Sequence, residues 1–188
     1  MRHQYLWQNH LPDHQTDVAL GRTAWLESVT TTNCKFFFKT WPGRSFGKNS
    51  PVTYDHKIAI ALLGELADWQ KLNVTAFLAG SIAIAHPETH GAPFINASGS
   101  RYLPFIKHPI LIYRANDAAQ LQRAFTRAKE RSLEIGIYTR SLFETKNEEE
   151  NHFVFSKSSD ADQDLVGLIV YGANKLVDKA LDSLKFHP

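Results

Sequence analysis

At 188 residues and 21.3 kDa, the chain is near the size of one domain, about 100–150 residues, with some left over. With 43% hydrophobic and 21% charged residues it can build a core, which excludes wholesale disorder, and no apolar run approaches the roughly 18 residues that read as a membrane span. Residues 1–50 carry six Lys and Arg against three Asp and Glu, and residues 51–188 carry fifteen against sixteen, so the part expected to fold is close to neutral and argues against a nucleic-acid backbone as partner.

Residues 1–50 hold Trp7, Trp25 and Trp41 but show no sustained periodicity. They read as an N-terminal extension, either weakly structured or an arm that packs its aromatics on a partner. Cys34, the one cysteine, cannot form an intramolecular bridge or a four-thiolate zinc site. No charged start, apolar core and cleavage site precede it, so a cytoplasmic location is expected. Gly43 to Ser50 imitates a phosphate-binding loop, but its glycine spacing is one residue short and Asn49 replaces the hydroxyl that would ligate magnesium.

The α/β domain is expected over residues 51–188. Lys57 to Leu63 is a continuous apolar run of strand length, as in a strand covered on both faces. Asp68 is placed to cap a helix from Trp69 to Ala85, whose apolar residues run nearly all round and predict a buried helix ending before Pro87. Asn96-Ala97-Ser98-Gly99 is turn chemistry inside a small hairpin. Pro109 to Tyr113 is a second buried strand, and Asn116 or Asp117 caps a helix with Leu121, Phe125 and Ala128 on one stripe. Glu134 to Thr139 and Leu165 to Tyr171 are the third and fourth strands, separated by a short helix and loop over 141–157 with an acidic run. A last helix buries Leu176, Val177, Ala180, Leu181 and Leu184 and ends at Lys185. This alternation predicts an α/β sandwich on a mixed four-stranded sheet.

Motif chemistry is sparse. Asp160, Asp162 and Asp164 alternate as in a calcium loop, but the turn glycine is missing and Tyr171 stands where the closing Glu belongs. His86 and His90 are four apart with Pro87 between them, which breaks the helix that would align them, so no metal is expected. The strongest local candidate is the start of the first helix. There Lys71 adds a cation to free amide donors at the carboxyl end of the first strand, and Trp69, Asn73 and Thr75 are near in sequence. Thr139, at the end of the third strand, is a candidate companion on the same rim.

Lys57-Ile58-Ala59-Ile60, Trp69 to Ala79, Arg101-Tyr102-Leu103-Pro104, Asp164-Leu165-Val166-Gly167 and Val177-Asp178-Lys179 together resemble the bacterial domain of unknown function 2000 family, over about His56 to Pro188. That resemblance implies the three-layer α/β/α sandwich of type 2 peptidyl-tRNA hydrolases, with a mixed four-stranded sheet. Those enzymes carry a basic Gly-Lys-Gly-Lys-type helix start, of which Lys71 alone is matched. They also place an aspartate after a later strand, where this chain reads Thr139-Arg140-Ser141-Leu142-Phe143. Without that carboxylate the best group to activate water is gone, and fold likeness does not carry the activity across. The leading expectation is a module that binds a small or anionic ligand at the Lys71 rim and needs no cofactor. One alternative is a hydrolase of peptidyl-tRNA or a related acyl ester, with Lys71 stabilising charge and Asn73 and Thr139 placing water. Another is a structural homodimer built on the Ala-rich helix or the 1–50 arm.

Overall fold

A computed structural model describes residues 53–188; the extension, Cys34 and the glycine-spaced segment at 43–50 lie outside them. The domain is built on β1 (His56–Leu63), in which every residue from Ile58 to Leu63 is buried, as its unbroken apolar run requires. β1 pairs in parallel with β4 (Ile110–Ala115) and antiparallel with β6 (Leu165–Ala173). β6 also pairs antiparallel with β5 (Glu134–Thr139), which forms one edge of the sheet. A separate hairpin joins β2 (Phe94–Ile95) to β3 (Arg101–Tyr102) across the predicted Asn96–Gly99 turn.

The sheet is mixed but has five strands, not four, in the order β5-β6-β1-β4-β7. The added edge is β7 (Lys185–Phe186), paired antiparallel with Tyr113 and Arg114. Its two residues are too few to show a period of two, and the sequence pattern ends the last helix at Lys185 and leaves Phe186 outside any element. The Phe186 ring stacks on Tyr113 at 4.7 Å, and His187 N donates to Ile112 O. The last helix, α4 (Asn174–Ala180), is correspondingly shorter than expected: Ser183 has φ +84°, which no helix continues through, and Leu176 is half-exposed rather than buried.

Helices cover both faces. The crossovers from β1 to β4 and from β4 to β5 run in opposite directions along the sheet, so their right-handed connections lie on opposite sides. α1 (Asp68–Ala85) packs on β6, β5 and β1, while α2 (Ala118–Glu130) and α4 pack on each other and on β6 and β1. Asp117 is the cap of α2, its Oδ1 accepting from Gln120 N at 2.7 Å. Two glycines set the height of α1 above the sheet. A Cβ on Gly167 of β6 would stand 2.3 Å from Val74 Cγ1, and one on Gly136 of β5 would stand 3.0 Å from Ser81 Oγ.

Two expectations for α1 are corrected. Its cap is Ala67, whose N–H donates to Gln70 Oε1 at 3.1 Å; Asp68 lies one residue inside, with its side chain in solvent. Nor is the helix buried all round. Val74, Leu78 and Ile82 face the sheet, whereas Leu72 and Ile84 are 72% and 85% exposed. Among the described residues no helix is long and apolar enough to cross a membrane.

Candidate functional site

Where the sheet ends at β5, the chain passes through a one-turn helix (Arg140–Phe143) into α3 (Glu148–Phe155) and leaves a cleft of about 740 Å³ between α1, β5 and α3. Residues four apart on a helix advance by about 40°, so Trp69, Asn73, Phe77 and Ser81 of α1 form one slow spiral along the near wall. Tyr138 reaches the same wall from β5 and Phe143 from the turn. Their rings make a chain: Trp69 to Phe143 at 5.7 Å, Phe143 to Tyr138 at 5.1 Å and Tyr138 to Phe77 at 5.9 Å between centroids. Trp69 and Phe77 each remain about three-fifths exposed at 62% and 61%, an unusual allotment for large aromatics unless something covers them.

The far wall is polar. Asn147 caps α3 by accepting from Glu150 N at 2.9 Å. The Thr145 hydroxyl donates to Leu142 O at 2.9 Å and accepts from the side-chain amide of Asn151, which pins the turn to the helix. On the near wall the Tyr138 hydroxyl donates to Asn73 Oδ1 at 3.2 Å. Burial raises the Tyr138 pKa above its ordinary value, so the phenol stays a donor at neutral pH. With its Oδ1 accepting from Tyr138, the Nδ2 amide of Asn73 has no protein partner among the described residues and is the donor that this wall offers to the cleft.

The predicted site residues therefore separate. Trp69 and Asn73 line the cleft. Lys71 does not: two residues from each, it lies on the sheet side of α1, its side chain 19% exposed and its Nζ 3.7 Å from Asp68 Oδ1. Thr75 spends its hydroxyl on Lys71 O at 2.7 Å. At the helix start Ala67 N is taken by Gln70 Oε1 and Lys71 N by Ala67 O, which leaves the first-turn amides of Asp68, Trp69 and Gln70 without a protein partner among the described residues. Thr139 follows Tyr138 on the strand and so faces the other way. It lines a separate cavity of about 150 Å³ with its Oγ1 3.1 Å from Ser141 Oγ. The Lys71 cation and the cleft are therefore on different sides of α1.

Two features escaped the sequence reading. Arg140 bridges the end of β1 to the start of β6, donating to Glu65 Oε1 at 2.9 Å and Asp164 Oδ2 at 3.1 Å. The second is at the opposite end of the sheet, where His56, His86 and His108 surround the Tyr171 ring at 5.5, 4.6 and 6.1 Å. Tyr171 and His86 both meet Glu88 Oε1, and His108 also packs at a tilt against Tyr54 with centroids 4.1 Å apart. Among the described residues no three such side chains converge as metal ligands.

His108 is 9% exposed, and its buried Nδ1 has no partner. Burial holds its pKa below the ordinary 6.5; Lys107 and His56 add to this and Glu88 opposes it. A base that protonates less readily in the folded chain than in the unfolded one gives stability that is present above pH 6.5 and lost as pH falls toward the depressed folded value. Urea unfolding at pH 7.5 and 5.5 should show this loss in the wild type and a smaller one in His108→Leu. Equal losses in the two proteins would assign the acid sensitivity elsewhere.

A family model described as protein of unknown function (DUF2000) matches residues 56–188. The chain belongs to the DUF2000 family. The solved structure of Atu0240, a protein of unknown function from Agrobacterium tumefaciens strain C58, is similar to this DUF2000 member at 34% identity and a TM-score of 0.70, covering 72% of this chain and all of the other. That likeness supports the α/β fold and, because the relative is uncharacterised, carries no activity. No curated protein matches the chain.

Proposed function

We propose that this DUF2000 member is a small-molecule-binding module on a scaffold like that of type 2 peptidyl-tRNA hydrolases, with a planar, uncharged heterocycle as its ligand. The observation that carries the reading is the four-ring wall with the Asn73 amide set in it, along a cleft of about 740 Å³, within the ~300–1,000 Å³ range of ligand sites. Aromatic faces accept a flat π-system by offset stacking, and the Nδ2 group of Asn73 suits a ring nitrogen or carbonyl that accepts a hydrogen bond. An anionic ligand is disfavoured: Glu148 stands among the lining residues, with Glu149 and Glu150 beside it in the first turn of α3, against Lys146 alone.

Hydrolysis has less support. The carboxylates at the carboxyl end of the sheet, Glu65 and Asp164, are both held by Arg140, and neither lines the cleft. Peptidyl-tRNA incubated with the protein should remain intact.

The ligand class is tested by thermal unfolding with adenosine, uridine and their 5′-monophosphates. A neutral nucleoside at a hundred times its Kd adds about 2.7 kcal/mol to the folded state, a shift of several degrees. The phosphates should do no better than the nucleosides. A flat response to all four, or turnover of peptidyl-tRNA, would overturn the reading.

A further inference from the structure

The sheet-distant face of α1 is apolar and uncovered. Leu72, Ala76, Gly80 and Ile84 form one row at i, i+4, i+8 and i+12, the ridge along which helices most often interdigitate. Leu72 and Ile84 are 72% and 85% exposed, Ala76 is exposed, and a Cβ added to Gly80 would meet nothing within 4 Å. A helix apolar on every side is normally enclosed on every side, yet here only the sheet face is covered among the described residues.

We propose that this row is the interface of a homodimer in which two copies of α1 cross antiparallel about a two-fold axis midway between Ala76 and Gly80. The row is palindromic in size: large, small, small, large. Antiparallel two-fold pairing sets Leu72 against Ile84 of the second copy and Ala76 against its Gly80, so the small residues meet where the helices come closest and the large ones fill the flanks. An isologous contact demands this self-complementarity, and a row graded from large to small would lack it.

Area and charge favour the same occupant. Taking about 150–250 Å² for a fully buried large side chain, the exposed parts of Leu72 and Ile84 with the flanking Trp69 and Phe77 come to on the order of 600 Å² per copy, close to the ~800 Å² per partner of a stable association. The row carries no charge, and residues 51–188 differ by one between acidic and basic groups, so two copies approach without net repulsion. None of the four row residues lines the cleft, while the flanking Trp69 and Phe77 belong to both surfaces, so the dimer would stand beside the ligand site.

Sedimentation of the full chain should give twice 21.3 kDa at micromolar concentration. Gly80→Glu should weaken the dimer more than a hundredfold while the monomer stays folded, since Glu is the better helix former and the position is open. Ala76→Lys should do the same. Mixing the two variants should restore a heterodimer, because the introduced carboxylate of one copy then faces the introduced ammonium of the other, and a generally damaged fold would not be rescued in this way. A wild-type monomer at 100 µM would overturn the proposal, leaving residues 1–52 or a different protein to cover the face. So would a dimer indifferent to Gly80→Glu, or a mixture that fails to pair.

Discussion

Gly167→Ala is expected to lower the thermal midpoint by roughly 5–10 °C, the largest loss of any one-carbon change in the domain. The new methyl would stand 2.3 Å from Val74 Cγ1 and 3.1 Å from Leu78 Cδ1, both on the buried face of α1. Val74 is fully buried and β-branched, so its side chain has no second rotamer into which to retreat. The remaining response is for α1 to rise from the sheet, and overpacking of this kind costs about 1–3 kcal/mol, offset in small part by the stiffer unfolded chain. Val74→Ala alone opens a cavity, but in the double variant it removes the atom in conflict. The pair should therefore cost less than the sum of the two single changes. Additive losses in thermal or urea unfolding would show that α1 is not held at this height by Gly167.

The same contact shows what the sequence could say about the fold. Ile58 to Leu63 and Leu165 to Tyr171 announce buried strands because both faces of each are covered, and a one-dimensional apolar run records that directly. Asp117 was one of two capping residues in view, and only the hydrogen bond from Gln120 N distinguishes it from Asn116. β7 was illegible because its two residues depend on a partner more than seventy positions away, Tyr113 and Arg114, and on the ring stack there. The outer face of α1 misled for a different reason. Hydrophobicity reports that a surface needs covering and is silent on whether the chain itself covers it.

The site was legible in half. Trp69 and Asn73 were found because they follow the first strand, where α/β sheets open. Lys71 is the natural choice for a cation beside free amides at the helix start, yet at 100° per residue it lies far round the helix from both. Thr139 failed on strand alternation, its neighbour Tyr138 being the residue that reaches the cleft. Phe143, Thr145 and Asn151 had no signal at all, since the segment that bears them has no apolar period and is placed by the turn after β5.

Within that cleft Trp69→Ala should have the largest effect on binding. A stacked base on an aromatic side chain is worth about 1–3 kcal/mol, so nucleoside affinity should fall roughly ten- to a hundredfold, read by titration calorimetry. Stability should change little, because Trp69 is 62% exposed and its ring meets Phe143 edge-on at 5.7 Å without anchoring the core. Tyr138→Phe supplies the complementary cut. It keeps the ring in the wall but deletes the donor that holds Asn73 Oδ1, and the amide is then free to turn its oxygen toward the ligand. The expected cost is several-fold, confined to ligands that accept a hydrogen bond, while an indole or other flat ring without an acceptor should bind Tyr138→Phe as it binds the wild type. Equal losses for both kinds of ring would mean that the wall supplies shape alone and that Asn73 does not read the ligand.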